Sequence, residues 1–124
     1  MNLLLDTHVA LWCFAETDRL KERIRAIIES ADQVYVSVAS AWEIAIKVAL
    51  GRLRLPEPFD VALKKCEFMP LLIQFSHAEI LKSLPLHHGD PFDRMLVAQA
   101  QVENLTIVSS DRWIDAYDVS ILRA

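Results

Sequence analysis

Apolar residues follow two rhythms along this chain. Short, largely apolar runs at Asn2 to Leu5, Gln33 to Val36, Pro70 to Phe75, Leu105 to Ser109 and Val119 to Leu122 read as strands, the last of them an edge strand. Between the runs, apolar positions recur at helical spacing. Val9, Leu11, Trp12 and Phe14 follow the first strand, and Leu20, Ile24, Ile27 and Ile28 mark an amphipathic helix within Asp18 to Ala31. Trp42, Ile46 and Leu50 form a packing stripe on a long helix that Ser37 and Ser40 introduce and Gly51 closes. Trp12, Trp42 and Leu50 are candidate groove or core residues and read as core first. Pro58 opens a helix that reaches Cys66, and Ser76 caps one from His77 to Leu84, with His77 on the surface. A helix starting at Asp90 runs through Met95, Ala98 and Val102 to a stop at Asn104, and Arg112 to Tyr117 makes a short helix or turn. Strand and helix alternate from end to end. That order predicts an α/β fold, with a central parallel sheet of four to five strands covered by helices on both faces.

Composition narrows this further. With 124 residues and 53% apolar content, the chain is expected to form a single domain, 1–124, with a sizeable core. Only 2 Gly and 5 Pro, and no polar low-complexity tract, argue against long linkers and a many-turned sandwich. The opening MNLLLDTHVALWCF has no basic leader and meets an acid at Asp6, so it is read as neither a signal peptide nor a membrane span. A soluble, cytoplasmic protein is expected. Cys13 and Cys66 lie in apolar helical stretches without metal-type spacing and read as reduced, buried thiols.

Charge adds a constraint. Lys and Arg number 13 against 17 Asp and Glu, a net charge of −4, which is the wrong sign for holding nucleic acid by bulk electrostatics. A phosphate ligand would need a cation to help.

The acids have ordinary local explanations when taken singly. Asp6-Thr7 ends the first strand as a helix cap, and Ser40-x-x-Glu43 matches a capping box. Asp90 is a good N-cap before Pro91, which places Asp93 at the third helical position. Capping does not explain a shared location. Asp6 and Asp111 each stand just past the carboxyl end of an expected strand, where open α/β sheets place their functional crevice. If those strands are neighbours, the helix starts carrying Glu43 and Asp90/Asp93 can converge on the same edge.

Carboxylates gathered so closely raise one another's pKa or recruit a cation. An all-oxygen site suits Mg²⁺ or Mn²⁺ and leaves room for substrate phosphate, whereas zinc would want Cys or His at tight spacing. Such a site can activate a water and stabilise a leaving oxygen in phosphodiester hydrolysis. Thr7, Ser109 and Ser110 are candidates to orient a water or a carboxylate, and Lys47, Arg94 and Arg112 to neutralise flanking phosphates. His87 and His88 read first as loop residues. The alternating arginines of Gly51 to Pro56 are either a phosphate contact or a solvated rim.

Four stretches, LLLDTHVALW, SVASAWEIAIKVALGRLRL, HHGDPFDRMLVAQA and a strand ending SSD, resemble in order and spacing the PIN-domain nucleases, and among them the VapC-type toxins of bacterial toxin–antitoxin pairs. The resemblance spans nearly the whole chain. It implies a PIN-like three-layer sandwich and a metal-dependent ribonuclease with Asp6, Glu43, Asp93 and Asp111 as the acidic quartet. Asp90 looks like the extra acid of a DPFDR variant, an outer-shell or capping group, and His88 and Arg94 match that variant too. A homodimer, and an antitoxin whose arm occupies the groove beside the acids, are implied as well.

Two rival enzymes fit less well. A response-regulator receiver would carry an aspartate at the end of its third strand and a lysine near the end of its fifth, and a dehalogenase-type phosphatase would carry D-x-D after the first. Neither pattern is present. The non-enzymatic alternative is an α/β interaction module whose acids only cap helices.

Overall fold

The computed structural model describes residues 1–124. Five strands, β1 (Asn2–Leu5), β2 (Gln33–Ser37), β3 (Met69–Leu71), β4 (Thr106–Ser109) and β5 (Ser120–Arg123), form one parallel sheet in the order β3-β2-β1-β4-β5. Helices α1 (Thr7–Ala15), α2 (Glu22–Ser30), α3 (Val38–Ala49), α4 (Phe59–Cys66), α5 (Phe75–Leu81) and α6 (Pro91–Glu103) alternate with them, and a 3-10 helix, Arg112–Ala116, precedes β5. The expected parallel α/β architecture with helices on both faces is what the chain adopts.

The two-residue period of β1 sorts the core. Leu3 and Leu5 enter one buried cluster with Val9, Ile24, Val34 and Val108, while Leu4 enters the other with Leu96, Val97, Ile107 and Ile114. All three leucines are fully buried, which is why the run carries no polar residue. No helix is long and apolar enough to cross a membrane.

Local chemistry sets most helix ends. Asp6, Ser37 and Asp90 accept backbone N–H bonds as N-caps of α1, α3 and α6. Asn104 ends α6 in the left-handed region at φ 56°, where Asn is among the tolerated residues. Gly51, at φ 73°, turns the chain after α3.

Several expectations need correction. The third strand stops at Leu71, because its last partner on β2 is Ser37 and nothing continues the ladder beyond that pair. The following helix is capped at Gln74, not Ser76, and α2 begins only at Glu22. Trp42, Ile46 and Leu50 do share a face of α3, but that face points to solvent, with Trp42 60% exposed. The buried face holds Ala39, Ser40, Glu43 and Ile44. Trp12 is half-buried and packs against the core. His77 is not a surface residue; it is completely buried, and its Nδ1 accepts the Gln74 N–H at 3.0 Å. Cys13 is buried and Cys66 half-buried, both as free thiols, and burial pushes the Cys13 thiol up to about 12.

Candidate metal centre

Strand order places the first two acids. β1 and β4 are hydrogen-bonded neighbours with Leu5 opposite Val108, so the chain leaves both at the same carboxyl edge. Sequence continues from β1 to β2 on one side and from β4 to β5 on the other. This is the point where strand order reverses, the place at which open α/β sheets set their functional crevice. Asp6 and Asp111 flank it.

Asp6 is 3% exposed and held from two sides, accepting the Val9 N–H at 2.8 Å and the Ser109 hydroxyl at 2.6 Å. The same Ser109 oxygen accepts the Asp111 N–H at 3.0 Å, so one hydroxyl ties the two acids together. Burial raises the Asp6 pKa and the Asp111 charge adds to it, against the Ser109 and Val9 hydrogen bonds and His8, which lower it.

Asp93 stands in the first turn of α6 behind the Asp90 cap. Its pKa is pushed up to about 7, first by burial and then by the charges of Asp90 and Asp6, while His88 works in the opposite direction. His88 Nε2 lies 2.9 Å from Asp93 Oδ2 and 3.0 Å from Asp111 Oδ2. A residue read first as part of a loop thus bridges two of the acids. Donor atoms of His88, Asp90 and Asp93 all lie within 4.8 Å of one another, near enough to share one ion. Asp90 itself is spent largely as a cap, one oxygen accepting the Phe92 N–H at 2.8 Å and the Asp93 N–H at 3.3 Å.

Glu43 is tied to the carboxyl end of β1 through Thr7. It is not the partner of a Ser40 cap, because the N-cap of α3 is Ser37 and Ser40 stands in the first turn of the helix. The Thr7 hydroxyl donates to Glu43 Oε1 at 2.7 Å and lies 3.1 Å from Ser40 Oγ, in a buried polar cluster. Lys47 holds the other Glu43 oxygen at 3.2 Å, one helical turn on. Thr7, which follows Asp6 directly, therefore couples Glu43 to the β1 end.

The candidate phosphate contacts separate. Arg112 is exposed and Lys47 is shared with Glu43. Arg94 turns away from the acids and donates to the carbonyls of Leu84 (3.1 Å) and Pro85 (2.9 Å) and to the Tyr117 hydroxyl (3.1 Å). Its donors serve the backbone of the loop that carries His88, so its observed role is structural. Ser110 is exposed. Two residues take roles that the sequence did not suggest. Tyr117 accepts the N–H groups of His87 and His88 at 3.1 and 3.0 Å, and Ser40 completes the Thr7 cluster. No local signal marks either of them.

These donors fit a divalent ion. Most are carboxylate oxygens, and burial, with the neighbouring acids adding to it, raises the pKa of both Asp6 and Asp93, an imbalance that a hard cation relieves. A parallel α/β sheet that gathers acids at its switch point has the arrangement in which open α/β proteins build a functional site. The PIN domain profile matches residues 3–119. Ribonuclease VapC22 of Mycobacterium tuberculosis is 34% identical over 114 residues, covering 90% of this chain and 88% of that one. The chain belongs to the PIN domain family and stands among its VapC relatives. In fold it is similar to VapBC2 from Rickettsia felis, solved bound to a promoter DNA fragment, with a TM-score of 0.75 at 11% identity over 100% of this chain and 99% of that one. FitAcB from Neisseria gonorrhoeae is similar too, with a TM-score of 0.68 at 20% identity over 98% and 96% of the two chains.

Proposed function

We propose that this protein is a Mg²⁺- or Mn²⁺-dependent endoribonuclease, the cytoplasmic toxin of a toxin–antitoxin pair, with Asp6, Glu43, Asp93 and Asp111 as its acidic set. The observation that carries this reading is the meeting of Asp6, Asp93 and Asp111 at one sheet edge, close enough for their charges to oppose one another. When bound, the ion supplies Lewis acidity toward a phosphoryl oxygen and a water acidic enough to attack. The chain's own part is positional. Ser109 and the Val9 N–H aim the Asp6 carboxylate, Thr7 and Lys47 aim Glu43, and His88 holds Asp93 and Asp111 in place. Arg112 is free to meet a flanking phosphate.

The partners follow from the same reading. RNA is the substrate, the active form is a homodimer, and a cognate antitoxin blocks the site. A cleft of about 730 Å³, lined by Leu11, Trp12, Phe14, Lys47, Arg52 and Arg54 among others, offers apolar and basic groups to such an arm. The test is cleavage of a mixed structured and single-stranded RNA in Mn²⁺, in Mg²⁺ and in EDTA, with Asp93→Asn purified alongside. Cuts that need metal and fall by roughly a hundredfold or more in the mutant are expected. Equal behaviour of the two proteins would leave the acids as helix caps.

A further inference from the structure

Trp113 stands out on this surface. It is 63% exposed, although Trp is ordinarily well buried, and no apolar stripe surrounds it. Its neighbours in the 3-10 helix, Arg112 and Asp115, are exposed and charged. Its backbone is fixed to the acidic site, since the Trp113 N–H donates to Asp111 Oδ1 at 3.0 Å. Its indole lies nearly parallel to the His88 ring, with centroids 6.4 Å apart and planes 22° from parallel. The exposed Trp42 differs, because it packs edge-to-face on Phe92 and continues into Ile46 and Leu50, a stripe better suited to a protein surface.

Resting on the ribonuclease reading, we infer that Trp113 is a stacking platform for an unpaired RNA base beside the scissile phosphate, with Arg112 meeting the adjoining backbone. A chain of net charge −4 cannot gather RNA by bulk attraction, so contacts that do not depend on charge must supply affinity. Base–aromatic stacking does this, and an aromatic face is open to a splayed base but not to one held in a duplex. The site would therefore select loops and single strands.

The experiment is a fluorescence-anisotropy titration of a short labelled unpaired oligoribonucleotide, and of the same strand in a duplex, into the otherwise unsubstituted chain in EDTA, where metal-dependent cleavage is silent. Trp113→Ala and Trp113→Phe are made in that background, and thermal melts and light scattering are run on each. The parent is expected to prefer the unpaired strand. Trp113→Ala should weaken that binding by roughly five- to hundredfold while leaving the duplex affinity unchanged, and Trp113→Phe should keep most of it. In Mn²⁺, Trp113→Ala should raise KM for unpaired RNA more than it lowers kcat. Equal binding by parent and Trp113→Ala overturns the platform, as does an undetectable parent complex. A change of molecular mass with RNA binding intact overturns it too, and would give Trp113 to a protein interface. Metal-dependent cleavage by the wild-type chain, scored in parallel, shows whether the ribonuclease reading survives such a failure.

Discussion

His88 and Asp111 come from different loops, 23 residues apart, yet His88 Nε2 sits 3.0 Å from Asp111 Oδ2 while reaching Asp93 at 2.9 Å. One ring nitrogen holds a cation-like place between two carboxylates. That contact eases their repulsion without abolishing it, since burial still keeps the Asp93 pKa at about 7.

The raised Asp93 pKa has a definite pH signature. Unfolded, its carboxyl titrates near 3.8; folded, near 7, so between those values the folded state holds more protons than the unfolded state. Stability without metal should therefore fall as pH rises through that window. In EDTA, the Tm contribution of this group is expected to drop from pH 5 to pH 8, and Asp93→Asn should flatten the slope and melt a few degrees higher at pH 8. A slope unchanged by the substitution would rule out Asp93 as its source.

Metal binding should work in the opposite direction. The ligands must lose their protons, so Mn²⁺ affinity by calorimetry is expected to rise from pH 6 to pH 8, with proton release at the lower value. Saturating Mn²⁺ should raise Tm by roughly 5 °C or more, and Asp6→Asn or Asp93→Asn should remove most of that rise. Melting curves indifferent to the ion would count against the site.

Thr7 tests the tie between Glu43 and the carboxyl end of β1. Thr7→Val keeps the shape but leaves Glu43 Oε1 without its buried donor. A loss of about 1–3 kcal/mol in urea denaturation is expected, together with reduced RNA cleavage. Thr7→Ser retains the hydroxyl and should recover most of both.

Tyr117 gathers three donors on one oxygen, from His87, His88 and Arg94. Tyr117→Phe should cost about 1–3 kcal/mol by leaving the loop N–H groups unpaired. If that oxygen positions His88, the His88 ring resonances should broaden or shift in NMR spectra of the variant. A spectrum identical to wild type would make Tyr117 a core residue only.

Much of this architecture is written along the chain, and some of it is not. The apolar runs and helical spacings specified the order of elements. Asp6, Asp90 and Asn104 announced their helix ends because a cap is satisfied by residues within a turn of it. The positions after β1 and β4 marked the edge where acids could meet. Orientation about the sheet was beyond reach. The Trp42–Ile46–Leu50 stripe has helical period, but periodicity says only that residues share a face, and α3 turns a face of Ser40, Glu43 and Ile44 inward instead. His77 looked like a surface residue until its burial against its own helix start was seen, and Arg94 like a phosphate ligand until carbonyls nine and ten residues upstream claimed it. Local hydrogen bonding and period are properties of neighbours in sequence, so the sequence alone determined them. Which acid faces which, what His88 bridges and what Tyr117 holds depend on the order in which five strands lie side by side, and only the tertiary structure decided that.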